Sequence, residues 1–267
     1  MTNIQKVLAV GVLLAAIWQV YAVGVIAIDA FTENAFFGQL NYIQPVGFIF
    51  SIWGLIYALA FAFAIYQLFP QNNSRYLEYA RPLVIAAFSL SGFWLFFAAQ
   101  DLSLRWITVP VLIAIAYALY HVIVFQKTTV QGKTMWERLL STYALYPYAA
   151  WTLIASGVNI HSILIQYGIV SDVFWNVFAS VFLLVLVTIL SWITLKQVTY
   201  SPWYGLVLVW ATFGIVWTNI IEPDGALLIA IAAGLVSLWT ALLVIKHCSL
   251  DLVSKKPKRR ATQKKKA

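Results

Sequence analysis

Tyr148, Trp151, Ala155 and Asn159 recur at spacings of 3, 4 and 4, so they share one side of a helix. Two rings, a gap left by alanine and an amide make a surface suited to a flat ligand. A second stretch, Pro45 to Tyr57, places Phe50, Trp53 and Tyr57, with Phe61 beyond them, on one helical face. Gly47, Ser51, Gly54 and Ala58 fall on the neighbouring face, and small residues at that spacing let helices approach closely inside a membrane. An aromatic wall beside a docking stripe is one way to build a pocket between helices. Tryptophan is abundant, with 12 residues. Trp106, Trp136, Trp175 and Trp203 read as anchors at span ends, whereas Trp53, Trp94, Trp151, Trp210 and Trp217 lie deeper. A buried indole N–H wants a partner, so the deep set is the informative one. Trp203, Trp210 and Trp217 recur every seven residues along one face, where simple helix packing is the alternative reading.

Other chemistries find little support. Enzymes and ion-coupled pumps usually place ionisable groups inside the membrane. Here Lys6, Lys127, Lys196 and Lys246 all sit at span ends, and no Asp or Glu lies deep enough to relay protons. His121 and His161 fall at opposite ends of their spans and cannot share one iron across about 30 Å of hydrocarbon. They read as interfacial residues bonding to headgroups. The single cysteine, Cys248, allows no intrachain disulfide and no thiolate cluster. The expectation is therefore no catalytic residue, no metal site and no required cofactor.

The elements that must position these residues are membrane helices. Of 267 residues, 63% are hydrophobic and 10% charged, and the mean hydropathy is +0.86. A soluble domain averages about 25% charged residues. The apolar runs extend unbroken for about 20 residues, the length that crosses hydrocarbon as a helix. The expected fold class is all-α: a polytopic membrane bundle of about eight helices, at 7–28, 46–69, 82–100, 106–126, 139–160, 173–195, 203–221 and 225–245. Pro45 fits the first turn of the second span, and Pro147 should bend the fifth. The first run is too long for a cleavable signal core.

Charge orients the bundle. With the N-terminus in the cytoplasm, 16 of the 17 basic residues, Arg75 and Arg81 among them, fall on the inner side and only Arg105 outside, as the positive-inside rule requires. Both termini are then cytoplasmic. The longest outer loop, Asp29 to Gln44, carries Phe31, Phe36, Phe37 and Tyr42, which reads either as a lid over the second span or as rings at headgroup level. Nine basic residues lie between Lys246 and Lys266. This tail is expected to lie on anionic lipid, at about 1 kcal/mol per basic residue, and not to bind nucleic acid.

Pro45-x-Gly47-Phe48-x-Phe50 with Trp53-x-x-x-Tyr57, and Pro147-Tyr148-x-x-Trp151-x-x-x-Ala155-x-x-x-Asn159, resemble motifs of the TspO/MBR family. These are the tryptophan-rich sensory proteins, related to the mitochondrial translocator protein or peripheral-type benzodiazepine receptor. The resemblance covers residues 1–168, the first five spans. It implies a five-helix membrane domain there, three additional spans over 169–248 and a basic tail over 249–267. It also implies a multi-pass protein of a bacterial-type inner membrane, with a homodimer allowed.

The resemblance implies a receptor, sensor or carrier for a small, flat, hydrophobic ligand such as a porphyrin, with a tetrapyrrole as the occupant. Phe50, Trp53 and Tyr57 would form one wall, Trp94, Tyr148 and Trp151 would stack on the ligand, Ala155 would leave room, and Asn159 would supply a polar contact. The alternative is a structural or interaction protein whose tryptophans pack helices and whose tail recruits lipid or a partner. Enzymatic breakdown of a bound porphyrin is the third reading, against which the lack of buried acid/base groups counts.

Overall fold

The computed structural model describes residues 1–27, 41–100, 102–129, 139–199, 201–221 and 225–254. Phe31, Phe36, Phe37, the carboxylates at 29, 33, 101, 222 and 224, Trp136 and the tail from 255 onward lie outside the described residues. Eight helices are long and apolar enough to cross a membrane. They are α1 (Asn3–Ala22), α2 (Ile52–Tyr66), α3 (Arg75–Ala98), α4 (Thr108–Thr129), α5 (Tyr146–Gln166), α6 (Val173–Gln197), α7 (Pro202–Ile221) and α8 (Leu227–Ser254). The protein is an integral, multi-pass, all-α membrane protein.

The most enclosed helix is α5, with 67% of its apolar window buried against 17% for α6. It packs on α4, α6 and α7, while α1 packs on α2 and α3. The main core runs through α1, α2, α3, α4, α5 and α7. A smaller cluster joins Tyr42 and Ile43 to Leu183, Ile215 and Ile229.

Several expectations are corrected. The third span begins at Arg75, not 82, because Ser74 caps it by accepting a hydrogen bond from the Leu77 amide (3.4 Å). Pro82 therefore lies inside the helix, and Arg81 is a fully buried cation within it, not a loop residue. Its guanidinium donates to Gln67 Oε1 (2.9 Å), the Gln67 carbonyl (3.0 Å) and Asn73 Oδ1 (2.9 Å). Asn73 in turn donates to Glu78, which also accepts from Gln5. The charge is tolerated because each of the three guanidinium nitrogens donates to an oxygen. The fifth span starts at Tyr146, with Pro147 in its first turn, so the ring has no intrahelical bond to break and bends nothing.

The Gly47–Ser51–Gly54–Ala58 stripe does not dock another helix of this chain. All four residues are exposed, and a Cβ at Gly47 or Gly54 would meet nothing within 4 Å. Residues Gly47–Ser51 form a tight 3₁₀ turn, and the face of α2 that packs inward carries Ile52, Ile56, Ala60 and Phe63 instead. Close approach happens at other glycines. A Cβ on Gly214 of α7 would run into Ile49 and Pro45, and one on Gly92 of α3 would run into the Trp18 ring.

Pro45 is likewise not in the helix but in a strap, residues 41–49, that ends in the 3₁₀ turn and leads to α2. The strap runs antiparallel to α7 and is fastened to it at four levels. Asn219 Nδ2 donates to the Tyr42 carbonyl (2.6 Å), Thr218 Oγ1 to the Gln44 carbonyl (3.0 Å), the Val46 amide to the Gly214 carbonyl (3.3 Å), and Trp210 Nε1 to the Ile49 carbonyl (3.0 Å). Backbone outside a helix must find partners at membrane depth, and α7 supplies them.

Candidate ligand-binding sites

The two motif stretches meet. Trp53 lies at the centre of a ring cluster built from α2, α3 and α5. Tyr57 and Trp94 lie near-parallel to it, with centroids at 5.2 and 5.7 Å and interplanar angles of 17° and 29°. Tyr148 and Trp151 meet it edge-on at 5.9 and 6.1 Å. Phe50 packs edge-on against Trp151 (5.6 Å), and Tyr57 against Tyr148 (6.4 Å). Such geometries suit the ring quadrupole and contribute about 0.5–1.5 kcal/mol per pair beyond area burial. Tyr148 and Trp151 are buried, while Phe50 and Trp53 are half-buried and give the cluster an open side.

Polar atoms are few. Asn159 donates from Nδ2 to the Ala155 carbonyl (3.0 Å) and accepts from Trp94 Nε1 at 3.4 Å. Trp151 Nε1 is buried without a hydrogen-bond partner among the described residues. All eight residues singled out by sequence, Phe50, Trp53, Tyr57, Trp94, Tyr148, Trp151, Ala155 and Asn159, thus lie in or beside one cluster. Sequence reasoning missed its supports. Phe88 stacks on Tyr148 at 5.7 Å and 15°. Ser91 faces the Tyr57 hydroxyl at 3.5 Å, and Gln19 of α1 accepts from the Tyr148 hydroxyl at 2.9 Å. Phe88, Ser91 and Leu95 share a helical face, a pattern visible in the sequence. The arrangement can stack, meet rings edge-on and offer one amide and one N–H beside the Tyr57 and Tyr148 hydroxyls.

A second region lies on the other face of α5. Ala149, Leu153, Ser156, Gly157 and Ile160 line a cavity of about 400 Å³ shared with α4, α6 and Tyr204 of α7. These residues sit roughly 140° around the helix from the aromatic set, at 100° per residue.

A third cluster surrounds His161, which is fully buried and not turned to headgroups as expected. Its Nδ1 meets Asn41 Oδ1 at 2.7 Å, and its Nε2 meets Ser180 Oγ at 3.0 Å. Asn41 also donates to the Val158 carbonyl (3.2 Å) and Ser162 Oγ (2.8 Å) and accepts from the Ile43 amide (3.1 Å). The heptad tryptophans pack as the simpler reading has it: Trp203 stacks on Tyr143 at 5.5 Å, and Phe48 meets Trp210 and Trp217 edge-on. Among the described residues no group of three or more His, Cys, Asp or Glu could hold a metal.

An eight-span helical bundle with a tryptophan-centred cluster between spans defines a class of membrane protein with an aromatic, uncharged site. The chain matches the family model described as TSPO-like protein over residues 6–246 and belongs to that family. The match runs through all eight spans, beyond the residues 1–168 that carry the motifs. No curated protein and no solved structure matches the chain.

Proposed function

We propose that this protein is a membrane receptor, sensor or carrier that binds a flat hydrophobic ligand, of the porphyrin type, against the Trp53 cluster. One observation carries the reading. Tyr57, Trp53 and Trp94 form a near-parallel series of rings, and the adjacent Trp151 N–H is buried yet unengaged. Buried donors are nearly always paired, and an acceptor on a ligand would complete this one. An apolar wall with few placed polar groups is the usual build of a small-molecule site. The charge distribution supports cytoplasmic termini, in a bacterial-type inner membrane, with the basic tail on anionic lipid and two copies able to associate. Stacking and polarity suffice for such a role, with neither a resident cofactor nor acid/base chemistry.

The structural reading applies to a different subset of tryptophans. Trp18 donates to the Ser89 carbonyl (3.1 Å) and Trp210 to that of Ile49 (3.0 Å). Both are packing residues with their N–H engaged. The test is titration of purified protein with protoporphyrin, read by tryptophan quenching. Saturable quenching is expected, weakened at least tenfold in Trp53→Leu and Trp151→Leu but not in Trp239→Leu on α8. Unsaturable quenching, or unchanged affinity in both cluster variants, rejects the reading.

A further inference from the structure

The cavity on the far face of α5 differs from the aromatic cluster in shape and chemistry. It extends along α5 from Ala149 to Ile160 and along α6 from Leu183 to Thr194. Eleven residue steps in each case give a corridor about 16 Å long at 1.5 Å per residue. Near-parallel stacked rings do not line it; most of its wall is aliphatic, with Ile113, Leu153, Leu186 and Val187 along its length. A plate has no slot here, whereas an extended chain does.

Its two ends are unlike. The end formed by the start of α5 and the finish of α6 holds the side chains of Thr194 and Tyr204. Tyr204, 1% exposed, brings a phenolic hydroxyl to the same end. Thr194 Oγ1 donates to the Leu190 carbonyl at 2.9 Å, which leaves its lone pairs free to accept. The Ser191 hydroxyl, one turn earlier and 3% exposed, has no hydrogen-bond partner among the described residues. The opposite end, at Ile160 and Leu183, is apolar.

No charged side chain is among the residues lining the corridor. The nearest candidate on α6, Lys196, holds its Nζ 3.4 Å over the Trp192 ring. A phosphate or carboxylate drawn into the corridor would therefore be desolvated without a counter-ion, which is strongly unfavourable. Hydroxyls facing a neutral head lose nothing of this kind. The volume of about 400 Å³ lies within the range of small-molecule sites.

We propose that this corridor binds a single-chain lipid with a small, uncharged, hydroxyl-bearing head, the chain lying between α4, α5 and α6 and the head at Thr194 and Tyr204. None of the Trp53-cluster residues takes part, so the two sites stand or fall separately.

The test is photolabelling of the full-length protein in detergent with a diazirine-tagged monoacylglycerol, compared with a probe of the same chain ending in phosphate. Saturable labelling of α5 and α6 peptides is expected, competed by untagged monoacylglycerol and at least tenfold stronger than with the phosphate probe. Ala116→Phe, which fills the corridor, and Leu186→Trp, at its half-exposed edge, should each lower labelling at least tenfold. Thr194→Val with Tyr204→Phe should remove the preference for the neutral head. Protoporphyrin quenching should be unchanged in these variants, which also reports that they are folded. Equal labelling by both probes, or labelling that neither saturates nor falls in Ala116→Phe and Leu186→Trp, overturns the proposal in favour of ordinary surrounding lipid.

Discussion

Residues 41–49 and 50–57 are neighbours in the chain and opposite in construction. The strap is held by directional bonds: backbone groups at four levels meet α7, and Asn41 alone joins α5, its own strap and His161. The cluster that follows is held by ring contacts of 5–6 Å, its polar contacts running from ring edges to Ser91, Gln19 and Asn159 and not between the rings. Hydrogen bonds fix one geometry and penalise any departure. Ring contacts are shallow and interchangeable, so rings can part for another plane. The strap therefore fixes where α2 begins, and the cluster is left free to adapt. The strap also ties α2 to α7, a span beyond residue 168 that the family match includes.

The largest effect should come from breaking the strap. Asn41→Ala removes four hydrogen bonds and leaves the Val158 carbonyl, the Ile43 amide and one His161 nitrogen to find new partners. At about 1 kcal/mol per bond lost, and more where a buried group is stranded, the cost is at least about 4 kcal/mol. The melting midpoint in detergent should fall by roughly 8–15 °C. A fall as small as that of a cluster variant would mean that the strap does not set the position of α2.

Trp210→Phe tests a single level of the same strap. The ring packing against Phe48 is kept in kind, and only the bond from Nε1 to the Ile49 carbonyl is lost. A cost of about 1–2 kcal/mol is expected, with protoporphyrin affinity changed less than threefold, because Trp210 lies outside the cluster. A tenfold loss of affinity would show instead that the strap transmits to the site.

The sequence displayed one of these regions far better than the other. Eight spans follow from run length and charge, and the α5 face from Tyr148 to Asn159 follows from helical period alone. Those are local signals. The bonds of Asn41 and Asn219 join residues 117 to 177 positions apart, and no spacing encodes them. Arg81 and Pro82 read as a span boundary because a cation and a proline usually mark one, yet Gln67 and Asn73 accept the hydrogen bonds of the first and let it stay buried. Gly47, Gly54 and Ala58 fit a docking stripe and equally fit an outward face, since small residues are permitted wherever nothing presses on them. The corridor is made by the joint phase of three helices, which a single helix pattern does not contain.

The smallest effect on stability is expected where the effect on function should be clear. Trp151→Phe removes a buried N–H that has no partner among the described residues, and releasing such a donor from burial favours the folded state by about 1–3 kcal/mol. It also removes ring volume from a close-packed site, which costs a similar amount. The two oppose each other, so the melting midpoint should move by no more than about 3 °C, while the edge-on contacts with Phe50 and Trp53 remain available to the smaller ring. If the N–H serves a ligand, protoporphyrin affinity should nonetheless fall severalfold, because the ligand's acceptor is then desolvated without a donor. A variant that binds as tightly as the parent and is more stable would assign Trp151 to packing, and with it remove the chief difference between the cluster and the α7 tryptophans that pack on the strap.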